Sequence, residues 1–225
     1  MTLIGLQTYL AFKIKFLLPN KKFFFISFLL GLIIPEIDIT IIFIYNLLLS
    51  AENTIPLFDK NFTHSVLTLS VIYLIFLVVY EIKKNKEILN IGNGMILGMG
   101  VNIILDLLLR FGSIDIFWPL PIGVIKNWNY STLTVSILMG VEFLAFRLIA
   151  SQLIKIILNK PSETEEDGFI KYLSYWMKFE LLFFIVFTFT LLYKPDFQLT
   201  LFAMLYIISY LMLIFSLFKL RKNII

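Results

Sequence analysis

Residues 198–218 read QLTLFAMLYIISYLMLIFSLF, with no charged side chain between Asp196 and Lys219. A helix of about 20 apolar residues covers the hydrocarbon core of a bilayer. At that depth the backbone must satisfy its own hydrogen bonds, which a helix does within one segment. Comparable apolar runs recur at 23–50, 66–80, 88–109, 131–158 and 169–193. The chain of 225 residues is 60% hydrophobic and 15% charged, whereas a soluble domain is about 45–50% apolar and about 25% charged. The expected fold is therefore an all-α, multi-pass integral membrane bundle of six or seven segments. It forms a single membrane domain, 1–225, with a motif-bearing half at 23–121 and accessory transmembrane helices at 131–218. Residues 2–18, interrupted by Lys13 and Lys15, either span with snorkelling lysines or lie on the membrane surface. The first residues have no basic stretch and no A-x-A-like cleavage site, so no cleaved signal peptide is expected.

There is no cysteine, which excludes disulfides, thiolate catalysis and cysteine-based zinc sites. The net charge of +4 does not point to nucleic acid, because the basic residues sit at segment ends, where they set topology. The partner implied by composition is membrane lipid, and the location is a cell (inner or plasma) membrane.

The run 23–50 is interrupted by Pro35-Glu36-Ile37-Asp38. Pro35 disfavours a helical conformation at Ile34, so a helix over about 23–34, a polar corner and a second helical piece are expected. Residues 51–63 form a loop, and Thr63 is placed to cap the helix that follows. In the next apolar helix Gly94, Gly98, Asn102 and Asp106 recur every four residues and share one face. Glycines at that spacing admit a neighbouring helix. An acid inside an apolar span is expensive and normally faces a protein interior or a wet cavity. Past Asp106 the chain turns at Phe111-Gly112-Ser113 and reaches Trp118-Pro119, aromatic residues suited to an interface.

Alternating the spans puts Lys21, Lys22, Lys83, Lys84, Lys86, Lys155, Lys160, Lys171, Lys219, Arg221 and Lys222 on one side. Lys60, Arg110, Lys126 and Lys194 fall on the other. The first side is then cytoplasmic. Asp38, the loop leading to His64, and Asp106 meet at the opposite, non-cytoplasmic face.

The polar candidates are Glu36, Asp38, Asp59, His64, Asn102 and Asp106, and His64 is the only histidine in the chain. Carboxylates with one imidazole make a divalent-metal site, and the oxygen-rich set suits Mg²⁺, Mn²⁺ or Ca²⁺ better than a structural zinc, with a mixed His/Asp zinc site also open. Each residue has a plainer reading. His64 alone is a capping or interface residue, and Asp106 with Asn102 is interhelical glue. Glu142 with Arg147 reads as an internal ion pair or interface anchor. Glu180, beside Lys178, reads as a structural residue near a helix end.

The motif order resembles a family of bacterial and archaeal inner-membrane proteins described as metal-dependent hydrolases. That family shows P-D-I-D, then H-R-G-F-T-H-S, then a G-x-x-x-H-x-x-x-D helix followed by Gly and Trp-Pro. Here the corresponding residues are Pro35-Glu36-Ile37-Asp38, Asp59-Lys60-Asn61-Phe62-Thr63-His64-Ser65 and Gly98 through Asn102 to Asp106, with Gly112 and Trp118-Pro119 after them. Glu36 replaces an aspartate, and Asp59 and Asn102 replace histidines. A further histidine that family members often carry in the N-terminal helix is absent, with Gln7 in that region. The resemblance implies Asp38, His64 and Asp106 as ligands of a divalent metal (Mn, Mg or Zn). It also implies Glu36 or Asp59 as ligand or general base, and Asn102 as a group orienting ligand or substrate. A lipid head group or other phosphoester fits a site at that depth. A scaffold that keeps the fold without the chemistry, and a transporter using Glu142, Glu180 and Asp106, are the competing classes. No paired halves or inverted repeat support the transporter.

Overall fold

The computed structural model describes residues 3–37, 62–109, 114–120, 122, 124–125, 130–159, 166–193 and 197–221. Asp38 and Asp59 lie outside them. The protein is all-α. Its helices are α1 (Ile4–Lys13), α2 (Phe24–Ile33), α3 (Val66–Lys83), α4 (Lys86–Leu109), α5 (Thr132–Leu158), α6 (Glu166–Tyr193) and α7 (Gln198–Lys219). The one extended pairing among the described residues is a two-residue antiparallel ladder of β1 (Ile114–Asp115) with β2 (Val124–Ile125). Five helices, α3 to α7, are long and apolar enough to cross a membrane, the make-up of a multi-pass membrane protein. With ten residues, α1 is about 15 Å long, half the hydrocarbon thickness. It does not span by itself.

The chain divides into two compact units. One contains α2, α3 and α4, the other α1, α5, α6 and α7. In the first unit α2 lies directly on α4. A Cβ built at Gly94 would land on the Phe24 carbonyl, at Gly98 on the Phe28 carbonyl, and at Gly31 on the Met95 carbonyl. Lipid tails are as apolar as leucine, so close backbone approach and dispersion hold such helices together. The glycine stripe read from the sequence is thus the α2–α4 seam. Phe24, Phe28, Leu29, Leu32, Met99 and Ile103 are buried around it. The other side of α4 meets α3, where Gly92 faces Phe76. Thr68 is the one buried residue of α3, which otherwise presents Val71, Leu74, Ile75 and Val78 outward, as a lipid-facing helix does.

Local chemistry sets the helix ends. The capping residue of α3 is Ser65 rather than Thr63, because the Ser65 hydroxyl accepts from Leu67 N–H at 3.1 Å while the Thr63 hydroxyl is engaged elsewhere. Ser131 caps α5 in the same way, accepting from Thr134 N–H. The α-helical ladder of α2 stops at Ile33, as Pro35 requires, yet the backbone does not turn a corner there. Ile34 keeps helical angles (φ −56°, ψ −43°), and Ile34–Glu36 continues as a 3₁₀ turn with Ile37 N–H bonded to Ile34 O. Pro35 sits at the start of that turn, where its missing N–H is no loss.

In the second unit an aromatic cluster organises the core. Phe143 on α5 meets Phe183 and Phe187 of α6 and Phe202 of α7, with centroids 5.6–6.1 Å apart.

A substitution pair on α4 tests the seam. Gly98→Ala should cost about 1–3 kcal/mol, because α2 must move off a backbone contact. Gly100→Ala meets nothing within 4 Å and should be neutral, or stabilising by up to about 1 kcal/mol through helix propensity. Thermal unfolding of the two variants in detergent checks the ranking.

Candidate metal centre

Three segments deliver the site. The 3₁₀ turn after α2 carries Glu36, the turn before α3 carries His64, and the buried face of α4 carries Asn102 and, one turn on, Asp106. All four are at most 1% exposed. His64 Nε2 lies 2.9 Å from Asp106 Oδ2 and 3.7 Å from Glu36 Oε1. One ligand atom from each of Glu36, His64 and Asp106 falls within 4.8 Å of the other two. Ligand atoms around a cation with bonds near 2.1 Å stand roughly 3 Å apart when adjacent and roughly 4.2 Å when opposite. The three atoms therefore could hold a metal ion.

The hydrogen bonds around the imidazole decide which nitrogen faces the carboxylates. Thr63 Oγ1 donates to the Pro35 carbonyl at 2.7 Å, which uses its only hydrogen. Its contact with His64 Nδ1 at 3.1 Å then has Nδ1–H as the donor. With Nδ1 protonated, Nε2 either shares a proton with Asp106 or offers a lone pair to a cation. A metal-binding histidine is commonly oriented by an acceptor on its far nitrogen, and the Thr63 hydroxyl is such an acceptor here.

Asn102 serves the opposite edge. Its Nδ2 donates to Glu36 Oε1 at 3.1 Å and to the Leu32 carbonyl at 3.1 Å. In a continuing α-helix Leu32 C=O would take the Glu36 amide. At Pro35 the ladder tightens, with Ile37 N–H on Ile34 O, and Asn102 brings a donor from α4 to the Leu32 carbonyl. A loop braces the histidine segment. Ser65 Oγ donates to Trp118 O at 2.8 Å, Val66 N–H donates to Ile116 O, and Phe62 meets the Trp118 ring edge to face at 5.3 Å.

Of the six residues singled out by sequence, the structure brings Glu36, His64, Asn102 and Asp106 together, while Asp38 and Asp59 fall outside the described residues. Thr63 and the Pro35 carbonyl were not expected to take part. The Thr-His dipeptide carries a hint of the first, but only the tertiary approach of the two segments reveals the second.

The remaining intramembrane acids are held differently, in the other unit. Glu142 Oε2 accepts from Leu6 N–H at 3.3 Å in the first turn of α1, a favourable place for an anion. Arg147 Nη1 donates to the Met177 carbonyl of α6 at 2.9 Å. Five positions apart on a helix, the two side chains stand about 140° apart and reach different elements. Glu180 lies at the middle of α6 rather than near its end, fully buried, with Trp176 Nε1 donating to it at 2.5 Å. Gln7 is buried in α1.

Asn102→Ala should remove the donor from two buried acceptors and cost about 1–3 kcal/mol. Asn102→Asp should cost more, since it sets a carboxylate against Glu36. Equal thermal stability of wild type and both variants would show that Asn102 does not hold Glu36 in place.

No family model matches the chain, and neither a curated protein nor a solved structure matches it.

Proposed function

We propose that the protein is a membrane-bound, metal-dependent hydrolase whose site takes a lipid head group or another phosphoester at the membrane interface. The observation that carries this reading is the Glu36, His64 and Asp106 cluster, drawn from three separate segments and closed within 4.8 Å at full burial. The donor set supports it. Two carboxylates and an imidazole are groups that a divalent cation takes as ligands. The resemblance to inner-membrane metal-dependent hydrolases supports it as well, since Glu36, His64 and Asp106 occupy positions of all three motifs.

In this reading Glu36, His64 through Nε2 and Asp106 hold the ion, and Asp38 is a further ligand. When bound, a divalent cation supplies Lewis-acid polarisation of a phosphoryl or carbonyl oxygen. Thr63 keeps the proton on His64 Nδ1, and Asn102 fixes the Glu36 carboxylate. Asp59 is a candidate general base. The distribution of basic residues supports a site on the non-cytoplasmic face. One imidazole among oxygen donors favours Mn²⁺ or Mg²⁺, with Zn²⁺ accepted.

Elemental analysis of the purified protein is the test. Mn²⁺, Mg²⁺ or Zn²⁺ should be present near one per chain and lost in His64→Ala and Asp106→Ala. Thr63→Val should weaken affinity about 10–100-fold, as loss of an orienting partner does. Metal retained at full stoichiometry in both alanine variants would sink the ligand assignment. A metal-free wild type, inactive on a panel of phospholipids and phosphoesters, would leave the His64–Asp106 pair as a structural latch.

A further inference from the structure

We infer that the outward face of α6 is a binding site for an anionic phospholipid, separate from the buried cluster and independent of its chemistry. Lys171, Tyr175, Lys178, Leu182, Ile185, Phe189 and Leu192 recur at alternating spacings of four and three, which places them on one helical face. All are exposed, Tyr175 and the four apolar residues from 42% at Ile185 to 71% at Leu192. The face changes character along its length. Its first half is basic and aromatic, whereas its second half is wholly apolar. A groove of about 190 Å³ lies there, lined by Phe184, Ile185, Thr188, Phe189 and Leu192. The only hydroxyl in it is turned inward, with Thr188 Oγ1 donating to Phe184 O.

Lys178 is the cation that needs an explanation. It sits well inside a helix able to cross a membrane. Its recorded contact is the Tyr175 ring, 5.6 Å from Nζ. Positions three and four away are Ser174, Tyr175, Leu181 and Leu182, so no acid stands at ion-pairing distance along the helix. Glu180 is buried on the inner face. Lys171, by contrast, has Asp167 four residues earlier. A lysine stem in this setting reaches toward the head-group level, and helical side chains tilt toward the N-terminus, in that direction. Tyr175, exposed on the same face, marks the same level, as aromatic residues do at an interface. The groove begins six residues on, about 9 Å further into the apolar layer. A phosphate at Lys178 with an acyl chain running down past Leu182 into the groove matches both halves.

A second copy of the chain is the competing occupant. A parallel two-fold pairing along this stripe would set Lys178 against Lys178 and Lys171 against Lys171, like charges brought close together. That disfavours the copy and favours an anion.

Native mass spectrometry of the full chain, released from detergent with equimolar phosphatidylglycerol and phosphatidylcholine, tests the site. Phosphatidylglycerol should be retained in preference. Lys178→Gln should reduce its retention about five-fold, the effect expected for one basic residue beside anionic lipid, with phosphatidylcholine unchanged. Lys178→Arg should keep the preference. Ile185→Trp, which fills the groove and leaves the charge, should also lower retention, and excess glycerol phosphate should not displace the lipid. Equal retention of the two lipids by wild type, or full retention by Lys178→Gln, overturns the site. So does a dimer that disappears in Ile185→Trp, because a second copy would then cover the face.

Discussion

The approach of α2 to α4 across Gly31, Gly94 and Gly98 decides where the polar groups of this unit can meet. A side chain at Gly98 would strike the Phe28 carbonyl and lift α2 away. One turn along α4, Asn102 reaches the Leu32 carbonyl of α2 at 3.1 Å. A further turn on, Asp106 faces His64. Without the glycine contact the amide could not reach across, and Glu36 and the Leu32 carbonyl would both lose the Asn102 donor. A lost hydrogen bond is costly where no water can replace it. Packing and polar satisfaction are thus the same requirement in this unit.

Pro35 has a second consequence at the same place. It ends the α-helical ladder of α2 but leaves the chain helical, so Glu36 is turned inward on a 3₁₀ step instead of being carried off on a loop. The Pro35 carbonyl then accepts from Thr63, and Thr63 in turn accepts from His64 Nδ1. One 3₁₀ turn therefore positions a carboxylate directly and an imidazole at one remove.

Much of this was legible from residue patterns, and the limits have physical causes. The spans followed from apolar length, a property of composition. The face shared by Gly94, Gly98, Asn102 and Asp106 followed from helical periodicity, which tertiary context does not alter. The caps were harder. Thr63 and Ser65 are both good capping residues, and the choice between them rested on the Pro35 carbonyl, which is distant in sequence and takes the Thr63 hydroxyl. The pairing imagined for Glu142 and Arg147 overlooked the rotation between positions five apart. Glu180 was placed near a helix end because Lys178 adjoins it. The two point to opposite sides of α6, one into the core and one outward, and adjacency along a helix says nothing about shared surroundings.

Burial alone does not single out the Glu36, His64 and Asp106 cluster, since Glu142 and Glu180 are as deeply enclosed. The difference lies in how the charge is met. Glu142 takes a helix-terminal amide and Glu180 an indole N–H, so each has a neutral donor of its own. Glu36 and Asp106 instead converge on one imidazole, with Glu36 already oriented by an amide donor. Two acids drawn to the same point repel each other, and a fold that only needed interhelical glue would gain nothing from the second. A proton on His64 Nε2 compensates one of them, whereas a divalent cation compensates both and leaves the imidazole neutral, with Nδ1–H toward Thr63. The three side chains thus form a group that could hold a metal ion.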